Sequence, residues 1–343
     1  MKNAFLTGAV AISGVSVPQV STELYFKDFL GAVMVRWGIN RGNYKVAPGI
    51  YAVGSPDASS DVFVTANYKL SFDAVRKSLA GINGWILVLN TKGINVWCAA
   101  GKGTFGTKEL VLRIKEASLD KIVSHKRIVL PQLGATGVAA HKVKEETGFN
   151  VHYGPVRASD IKRFVTEGYR ADKEMRRVTF NLIDRLKLIP NDFIYGKFYL
   201  LGALAVVFLI SGLSRQGLSF NGFTEEGFPA ILMVFLAYIS GIVITPMFLP
   251  YLPGRPFALK GFFSGLLVFL ILLSLSLTGN NIFEKASWFL IITAISSFLA
   301  MNFTGSSTYT SLSGVKKEMK YSLPVQIGFA VAGIILQIIG KLI

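Results

Sequence analysis

Short apolar runs alternate with stretches of helical periodicity through the first half of the chain. Apolar runs predict strands, and apolar positions three to four residues apart predict helices. The predicted strands are 61–66, 85–89, 127–130 and 149–153, and the predicted helices are 72–79, 107–117, 138–146 and 159–166. Ser71 and Thr107 are the expected N-caps of the first two helices. The alternation predicts a Rossmann-like α/β domain, with a parallel sheet covered by helices on both faces.

The stretch before the first of these strands has a weaker pattern. Residues 1–22 hold Lys2 and an apolar run broken by glycines and serines. An apolar arm packed on the domain or on a membrane explains this pattern. A secretory signal peptide is the alternative, which the single lysine and the broken apolar run disfavour. Residues 24–52 are predicted to be irregular, with a turn at Pro48–Gly49.

The second half of the chain is dominated by long apolar segments. Each is about 18 to 23 residues long, which suffices to cross roughly 30 Å of hydrocarbon. The five predicted spans are 196–213, 227–249, 257–277, 286–303 and 323–340. A charged stretch at 168–195 is predicted to be a linker helix. The predicted organisation is therefore an α/β domain at 1–167, this linker, and an all-α transmembrane domain at 196–343.

Composition and charge agree with a membrane protein. Apolar residues make up 51% of the chain and charged residues 16%, and the formal net charge is +16. Positive residues cluster at the span ends on the side of the α/β domain, at Lys187, Lys197, Arg255, Lys260, Lys316, Lys317 and Lys320. The opposite loops hold Arg215, Glu225, Glu226, Glu284 and Lys285. The positive-inside rule thus predicts a multi-pass protein of the cytoplasmic (inner) membrane with the α/β domain in the cytoplasm.

Other functional classes receive little support. The positive residues are scattered without a pattern of stacking aromatics, so nucleic-acid binding is not expected. The predicted spans carry no Asp, Glu or His, which disfavours a proton pump or an ion-coupled transporter. His125, His141 and His152 are not spaced as metal ligands. A Ser-His-Asp arrangement cannot be recognised from spacing.

One stretch carries the chemistry, and it contains the only cysteine of the chain. It reads Asn95-Val96-Trp97-Cys98-Ala99-Ala100-Gly101-Lys102-Gly103-Thr104-Phe105-Gly106-Thr107. A single thiol cannot build a four-cysteine zinc site or hold an iron–sulfur cluster. The spacing fails as a Walker A loop, and its match to the dinucleotide fingerprint lies too far from the preceding strand. From the residues alone, Cys98 is either a small buried hydrophobe or the reactive thiol of a site where glycines admit a large ligand.

This thirteen-residue stretch resembles the signature of the HgcA family of mercury-methylating corrinoid proteins. It is more distantly similar to the corrinoid-binding domain of the corrinoid iron–sulfur protein. The resemblance extends to residues 64–69, 131–135 and 153–158 and to the apolar C-terminal half. It implies a cap helix whose Cys98 thiolate ligates the cobalt of a cobalamin-type corrinoid. The implied activity is a corrinoid-dependent methyltransferase that passes a methyl group to Hg(II).

The resemblance also implies a set of site residues and partners. Asn95 would cap the helix, Trp97 would pack it, and Lys102 would meet a phosphate or propionamide. The cofactor-binding residues implied are Thr65, Asn67, Asn95, Val96, Trp97, Cys98, Ala99, Ala100, Gly101, Lys102, Gly134 and Ala135. Expected partners are a ferredoxin with two 4Fe–4S clusters as electron donor, a methyltransferase that supplies the methyl group from a folate, and the lipid bilayer.

Topology places the same segments together. In a parallel sheet, ligands bind beyond the carboxyl ends of the strands. Residues 65–69, 90–106, 132–136 and 154–158 follow those ends, so they are expected around one site. Gly134 and Gly137 could let a flat ligand approach the backbone, or could simply form tight turns with positive φ.

Three other functions stay open. A membrane-anchored corrinoid methyl carrier could serve an acceptor other than Hg(II). A nucleotide-binding membrane module could use Cys98 structurally. A transporter could carry a cytosolic sensor domain.

Overall fold

The computed structural model describes residues 5–214, 217–303 and 312–342. Arg215, one of the predicted loop charges, lies outside these residues. The chain divides into two compact units, residues 1–178 and residues 179–343. Each unit is described by itself.

The first unit is built on one seven-stranded sheet. Its strands are β1 (Leu6–Ile12), β2 (Val15–Val20), β3 (Gly49–Val53), β4 (Asp61–Ala66), β5 (Gly84–Leu89), β6 (Arg127–Leu130) and β7 (Asn150–Tyr153). Their order across the sheet is β1-β2-β3-β5-β4-β6-β7. β5, β4, β6 and β7 run parallel to one another. The four strands predicted from the apolar runs are therefore confirmed in position and in parallel pairing.

The prediction of a wholly parallel sheet is wrong, because the sheet is mixed. β1 and β2 form an antiparallel hairpin, β2 pairs parallel with β3, and β3 pairs antiparallel with β5. Ser13 and Gly14 between β1 and β2 both have positive φ, 49° and 78°. Such a two-residue turn matches the twist of a hairpin and forces its strands to be antiparallel. The segment read as an apolar arm or signal peptide is thus two strands of the sheet, and β3 occupies part of the stretch predicted to be irregular.

Seven helices accompany this sheet in the described part of the first unit. They are α1 (Phe26–Arg36), α2 (Lys69–Ser78), α3 (Val96–Gly101), α4 (Thr107–Glu116), α5 (Leu119–Ile122), α6 (Ala140–Thr147) and α7 (Ile161–Thr166). The sequence pattern missed α1. It also misplaced two N-caps, since Tyr68 caps α2 and Gly106 caps α4. The Thr107 hydroxyl instead accepts a hydrogen bond from the Ala139 N–H at 2.9 Å, which ties α4 to the chain before α6.

Helices pack on both faces of the sheet. Because successive side chains of a strand point to opposite faces, Val62 and Val64 of β4 join one core and Phe63 joins the other. The first core contains residues of α3, α4 and α6, and the second contains residues of α2 and α7. The β4 side chains on both faces, Val62, Phe63 and Val64, are almost fully buried, as a continuous apolar run requires.

A buried ion cluster fixes α1 to α2. Arg76 is fully buried and donates to Asp28 and Asp73, both at 2.7 Å, and Lys69 also binds both carboxylates. Burial alone would raise the pKa of Asp28, but hydrogen bonds from Lys69, the Tyr25 N–H and Arg76 lower it below the usual 3.8. A carboxyl whose pKa is lower in the folded state stabilises the fold at every pH above its unfolded-state pKa. This stabilisation is lost as the pH falls from the unfolded-state pKa through the lower folded-state pKa.

Arg76→Ala is expected to destabilise the first unit by about 3–5 kcal/mol, because it leaves buried carboxylates without their main partner. Hydrogen–deuterium exchange of the β4 amides in the detergent-solubilised chain measures the change. Arg163→Ala is the control, since Arg163 is half exposed and pairs only with exposed acids on the surface. Equal exchange in both variants would show that the cluster contributes no net stability.

The second unit is helical. Its helices are α8 (Leu182–Leu186), α9 (Ile189–Ser211), α10 (Gly227–Ile239), α11 (Thr245–Phe248), α12 (Phe257–Ser274), α13 (Ile282–Asn302) and α14 (Leu312–Leu342). Five continuous helical stretches are long and apolar enough to cross a membrane, namely Leu182–Ser211, Gly222–Phe248, Phe257–Ser274, Ile282–Asn302 and Ser313–Leu342. The predicted number of apolar spans is confirmed within the described residues.

Two boundaries differ from the prediction. The linker helix predicted at 168–195 is wrong for residues 168–181, which form turns and irregular chain before α8. Pro190 lies in the first turn of α9, where its missing N–H costs no hydrogen bond. α14 begins at Leu312 rather than near residue 323, with Pro324 in its interior. Lys316, Lys317 and Lys320 are therefore part of this helix.

Candidate functional site

A cavity of about 300 Å³ opens at the carboxyl ends of β4 and β6 in the first unit. The chain leaves β4 for β5 on one side and later returns to β6 on the other, so these two strands mark the point where the connections reverse direction. Crevices at such points are the usual ligand sites of open α/β sheets. The lining residues are Phe63, Val64, Thr65, Ser71, Ala74, Val75, Asn95, Val96, Trp97, Val129, Leu130, Pro131, Leu133, Pro155, Val156, Ala158 and Ile161.

The four segments expected to surround one site all reach this cavity. Thr65 comes from the first segment and Leu133 from the third, while Asn95–Trp97 and 155–158 supply the other two. The lining is almost entirely apolar, with Thr65, Ser71 and Asn95 as its polar members. The arrangement favours a large, mainly apolar ligand held by few polar contacts.

Helix α3 lies at the edge of the cavity and presents Cys98. The Asn95 side chain accepts a hydrogen bond from the Cys98 N–H at 2.9 Å, so Asn95 is the N-cap, as predicted. Ala99 and Ala100 face the core, whereas the Cys98 side chain is exposed and Trp97 is 41% exposed. Cys98 is therefore not a buried hydrophobe, because the helix turns its thiol outward.

Open space continues along the outer side of α3. A Cβ atom added at Gly101 would meet nothing within 4 Å, and Lys102 at the C-cap is exposed. Gly103 follows with a φ of 79°, a conformation that favours glycine. Cys98, Gly101 and Lys102 thus form a surface that a flat group could approach closely.

Asn67 organises the chain that leads to α3. It is buried, and its side-chain oxygen accepts hydrogen bonds from the N–H groups of Thr91 and Gly93 and from the Thr91 hydroxyl. The Ile94 carbonyl oxygen lies 2.7 Å from the same hydroxyl oxygen, so it shares the single hydroxyl hydrogen with Asn67. Asn67 does not line the cavity, so its observed role is to position the loop before Asn95. Thr91 shares this role, and no sequence signal pointed to it.

Asn67→Ala is expected to release this loop while the sheet stays folded. The Gly93 N–H would lose its acceptor, the Thr91 N–H would keep only the Leu89 carbonyl oxygen, and each unsatisfied buried group costs about 1–3 kcal/mol. We expect the Gly93 amide to exchange at least about tenfold faster, which corresponds to roughly 1.4 kcal/mol. Asn90→Ala is the matched control, because its side chain makes one exposed hydrogen bond to the Lys92 N–H. Unchanged exchange in Asn67→Ala would rule out the positioning role.

Gly134 and Gly137 serve internal packing. A Cβ at Gly134 would lie 2.5 Å from the Phe105 ring, and a Cβ at Gly137 would lie 2.1 Å from the Phe105 carbonyl oxygen. Neither glycine has a positive φ. The turn interpretation is therefore wrong here, and Phe105 fills the space on the Cβ side of both glycines. Approach of a ligand to their backbone stays a prediction. Ala135 is half-buried and lies outside the cavity lining.

The titratable side chains of the first unit gather elsewhere. Asp61, Arg127 and Tyr169 form a hydrogen-bonded cluster at the opposite, amino end of β4 and β6. Burial and the Asp61 carboxylate raise the pKa of Tyr169 to about 12, and burial and Arg127 lower the pKa of nearby His152. Among the described residues, no group of three His, Cys, Asp or Glu side chains could hold a metal ion.

Comparison with known proteins identifies the domain that carries this cavity. Residues 40–165 match the family model described as CO dehydrogenase/acetyl-CoA synthase delta subunit. The match runs from before β3 to the end of α7 and includes α3 and every residue that lines the cavity. α1, the β1–β2 hairpin and the whole helical unit lie outside it.

Individual relatives match stretches of similar length. The gamma subunit of the acetyl-CoA decarbonylase/synthase complex of Archaeoglobus fulgidus is 33% identical over 127 residues, which are 36% of this chain and 27% of that protein. The corresponding subunit of Methanopyrus kandleri is 32% identical over 123 residues, 35% of this chain and 26% of the relative. The corrinoid/iron-sulfur protein large subunit of Moorella thermoacetica is 30% identical over 122 residues, which are 35% of this chain and 27% of that protein. The matched part thus spans about a quarter of the length of these relatives.

Proposed function

We propose that the first unit binds a cobalamin-type corrinoid, that the Cys98 thiolate ligates its cobalt, and that the chain transfers a methyl group to Hg(II). The observation that carries this proposal is the exposed Cys98 on a capped helix whose residues Val96 and Trp97 line the strand-end cavity, although Cys98 itself is not a lining residue. Similarity of the same residues to a corrinoid/iron-sulfur protein subunit supports it.

The residues present fit a corrinoid. The site offers one accessible sulfur donor, a large exposed ring at Trp97, and open space beside Gly101. A thiolate is a soft anionic ligand suited to a transition metal. Lys102 stands at the C-terminal end of α3, where its charge can meet a phosphate or amide of the ligand's side chains.

The bound corrinoid supplies the cobalt centre that carries the methyl group. The chain's own residues hold the sulfur donor in place and shield it. Asn95 fixes the first turn of α3, and Asn67 with Thr91 fixes the loop before it. The apolar walls formed by Val96, Leu133 and Val156 keep water from the inner side of the site. Strong donation from a thiolate makes the metal harder to reduce, so turnover requires a strong reductant.

Partners follow from what the chain lacks. Its single cysteine cannot hold an iron–sulfur cluster, so electrons must come from another protein. The resemblance to the mercury-methylating family implies that this reductant is a ferredoxin with two 4Fe–4S clusters. The proposed methyl source is a methyltransferase that uses a folate. The five apolar helices support a location in the cytoplasmic membrane, and the distribution of lysines and arginines supports an orientation with the first unit in the cytoplasm.

A second function is a membrane-anchored methyl carrier with another acceptor. Two of the relatives named above are subunits of an acetyl-CoA decarbonylase/synthase complex, which favours a carrier that serves a different chemistry. Both functions use the same Cys98 site, so corrinoid binding does not separate them.

Methylmercury formation by the full chain tests the proposal. The detergent-solubilised protein is loaded with methylcobalamin, freed of excess cofactor and given Hg(II). We expect methylmercury to form faster than with the same amount of free methylcobalamin. A chain that retains corrinoid but gives only the rate of the free cofactor would favour the carrier function. A chain that retains no corrinoid would overturn both.

A further inference from the structure

The outward face of α1 is strongly apolar. Phe26 is 76% exposed and Phe29 67% exposed, and Leu30, Val33 and Trp37 are also exposed. Their spacing of three, four, seven and eleven residues from Phe26 places them along one side of the helix. Exposed apolar patches of this kind mark surfaces that bind proteins or membranes.

The opposite face of α1 is firmly attached to the domain. Val35 is fully buried, and Asp28 binds Lys69 and Arg76 in the ion cluster. A Cβ at Gly31 would lie 2.7 Å from the Tyr44 ring, so the helix backbone is in close contact with that side chain. The helix therefore cannot rotate to bury its apolar side, and that side needs another environment.

Charge indicates which environment this is. The ion cluster turns the carboxylate of Asp28 inward, and Glu23 is the other acidic residue between 21 and 45. Lys27, Arg41 and Lys45 are exposed in the same stretch. A face with Phe and Trp beside basic side chains is typical of helices that lie in the interface of an anionic membrane. With 11 residues, α1 is too short to span a bilayer.

We propose that the outward face of α1 lies among the headgroups of an anionic lipid bilayer. This inference rests on the membrane location proposed above and is independent of the corrinoid. The family match begins at residue 40, after α1 has ended, so it includes no part of this surface. The helix would give the first unit a second attachment to the membrane besides the apolar spans.

Nitroxide labels on the full chain test the proposal. Phe29→Cys and Lys142→Cys are made separately in a Cys98→Ala background, which leaves one thiol for labelling. Lys142 is the control, since it is exposed on α6, whose Val143 packs into the core on the other face of the sheet. The labelled chains are reconstituted into vesicles of roughly 3:1 phosphatidylcholine and phosphatidylglycerol. Collision rates with oxygen and with a water-soluble nickel chelate are then measured.

Oxygen concentrates in lipid and the chelate in water. We expect the ratio of oxygen to chelate collisions to be several-fold higher at residue 29 than at residue 142. Chelate access at residue 29 equal to that at residue 142 would overturn the inference while leaving the membrane location intact. Exclusion of both reagents would also overturn it, because protein rather than lipid would then cover the helix. A chain that fails to float with the vesicles would overturn the membrane location and this inference together, whatever the state of the corrinoid site.

Discussion

Cys98→Ala is expected to lower methylmercury formation by the corrinoid-loaded chain by more than about 100-fold. Loss of a side chain that only supports a metal ligand costs 10–100-fold, and removal of the ligand itself should cost more. The fold should not change, because the Cys98 side chain is exposed and alanine is a good helix former. The measurement is the rate of methylmercury formation at equal amounts of bound corrinoid.

Trp97→Phe is the control for this variant. It changes the neighbouring exposed ring on the same helix and leaves the sulfur donor in place. We expect a far smaller loss of rate than in Cys98→Ala. Comparable rates in Cys98→Ala and the wild type would contradict ligation by the thiolate and would return Cys98 to a structural role.

Gly137→Ala is expected to displace α3 by a clash on the side of the helix that packs on the domain. The added Cβ would lie 2.1 Å from the Phe105 carbonyl oxygen and 3.1 Å from the Ala100 Cα, so the chain after α3 must move away. Overpacking of this kind costs about 1–3 kcal/mol and sometimes more, and here the obstacle is rigid backbone. We expect faster amide exchange at residues 99–105 and a loss of retained corrinoid.

Gly42→Ala is the matched control for Gly137→Ala. A Cβ at Gly42 would meet nothing within 4 Å, and its φ is not positive. It should keep both the exchange pattern and the bound corrinoid. Retention of corrinoid by Gly137→Ala at the level of Gly42→Ala would show that the contact between Gly137 and Phe105 does not hold α3 in place.

The sequence predicted the parallel part of the sheet well for a physical reason. β4, β5 and β6 are largely buried, and a buried strand reads as a continuous apolar run. β7 is an edge strand in which exposed Asn150 and His152 alternate with half-buried Val151 and Tyr153. β1 and β2 carry smaller, partly exposed residues, and their hairpin depends on the backbone angles of Ser13 and Gly14. α1 was predictable but missed, since Phe26, Phe29, Leu30 and Val33 recur at helical spacing.

The candidate site was predictable in outline but not in its internal support. The segments that follow parallel strands must meet at one edge of the sheet, which brought Thr65, Asn95 and Leu133 together. The hydrogen bonds that the Asn67 side-chain oxygen accepts from the Thr91 and Gly93 N–H groups join residues distant in sequence, and no local pattern reveals them. The contact of Phe105 with Gly134 and Gly137 likewise depends on tertiary packing.

The cobalt ligand can be observed directly by X-ray absorption at the cobalt edge of the corrinoid-loaded full chain. We expect a sulfur atom in the first coordination shell of the cobalt in the wild-type protein. In Cys98→Ala, which retains the rest of the site, this sulfur should be replaced by a nitrogen or oxygen donor. A wild-type spectrum with nitrogen and oxygen neighbours alone, unchanged by the substitution, would contradict the central claim.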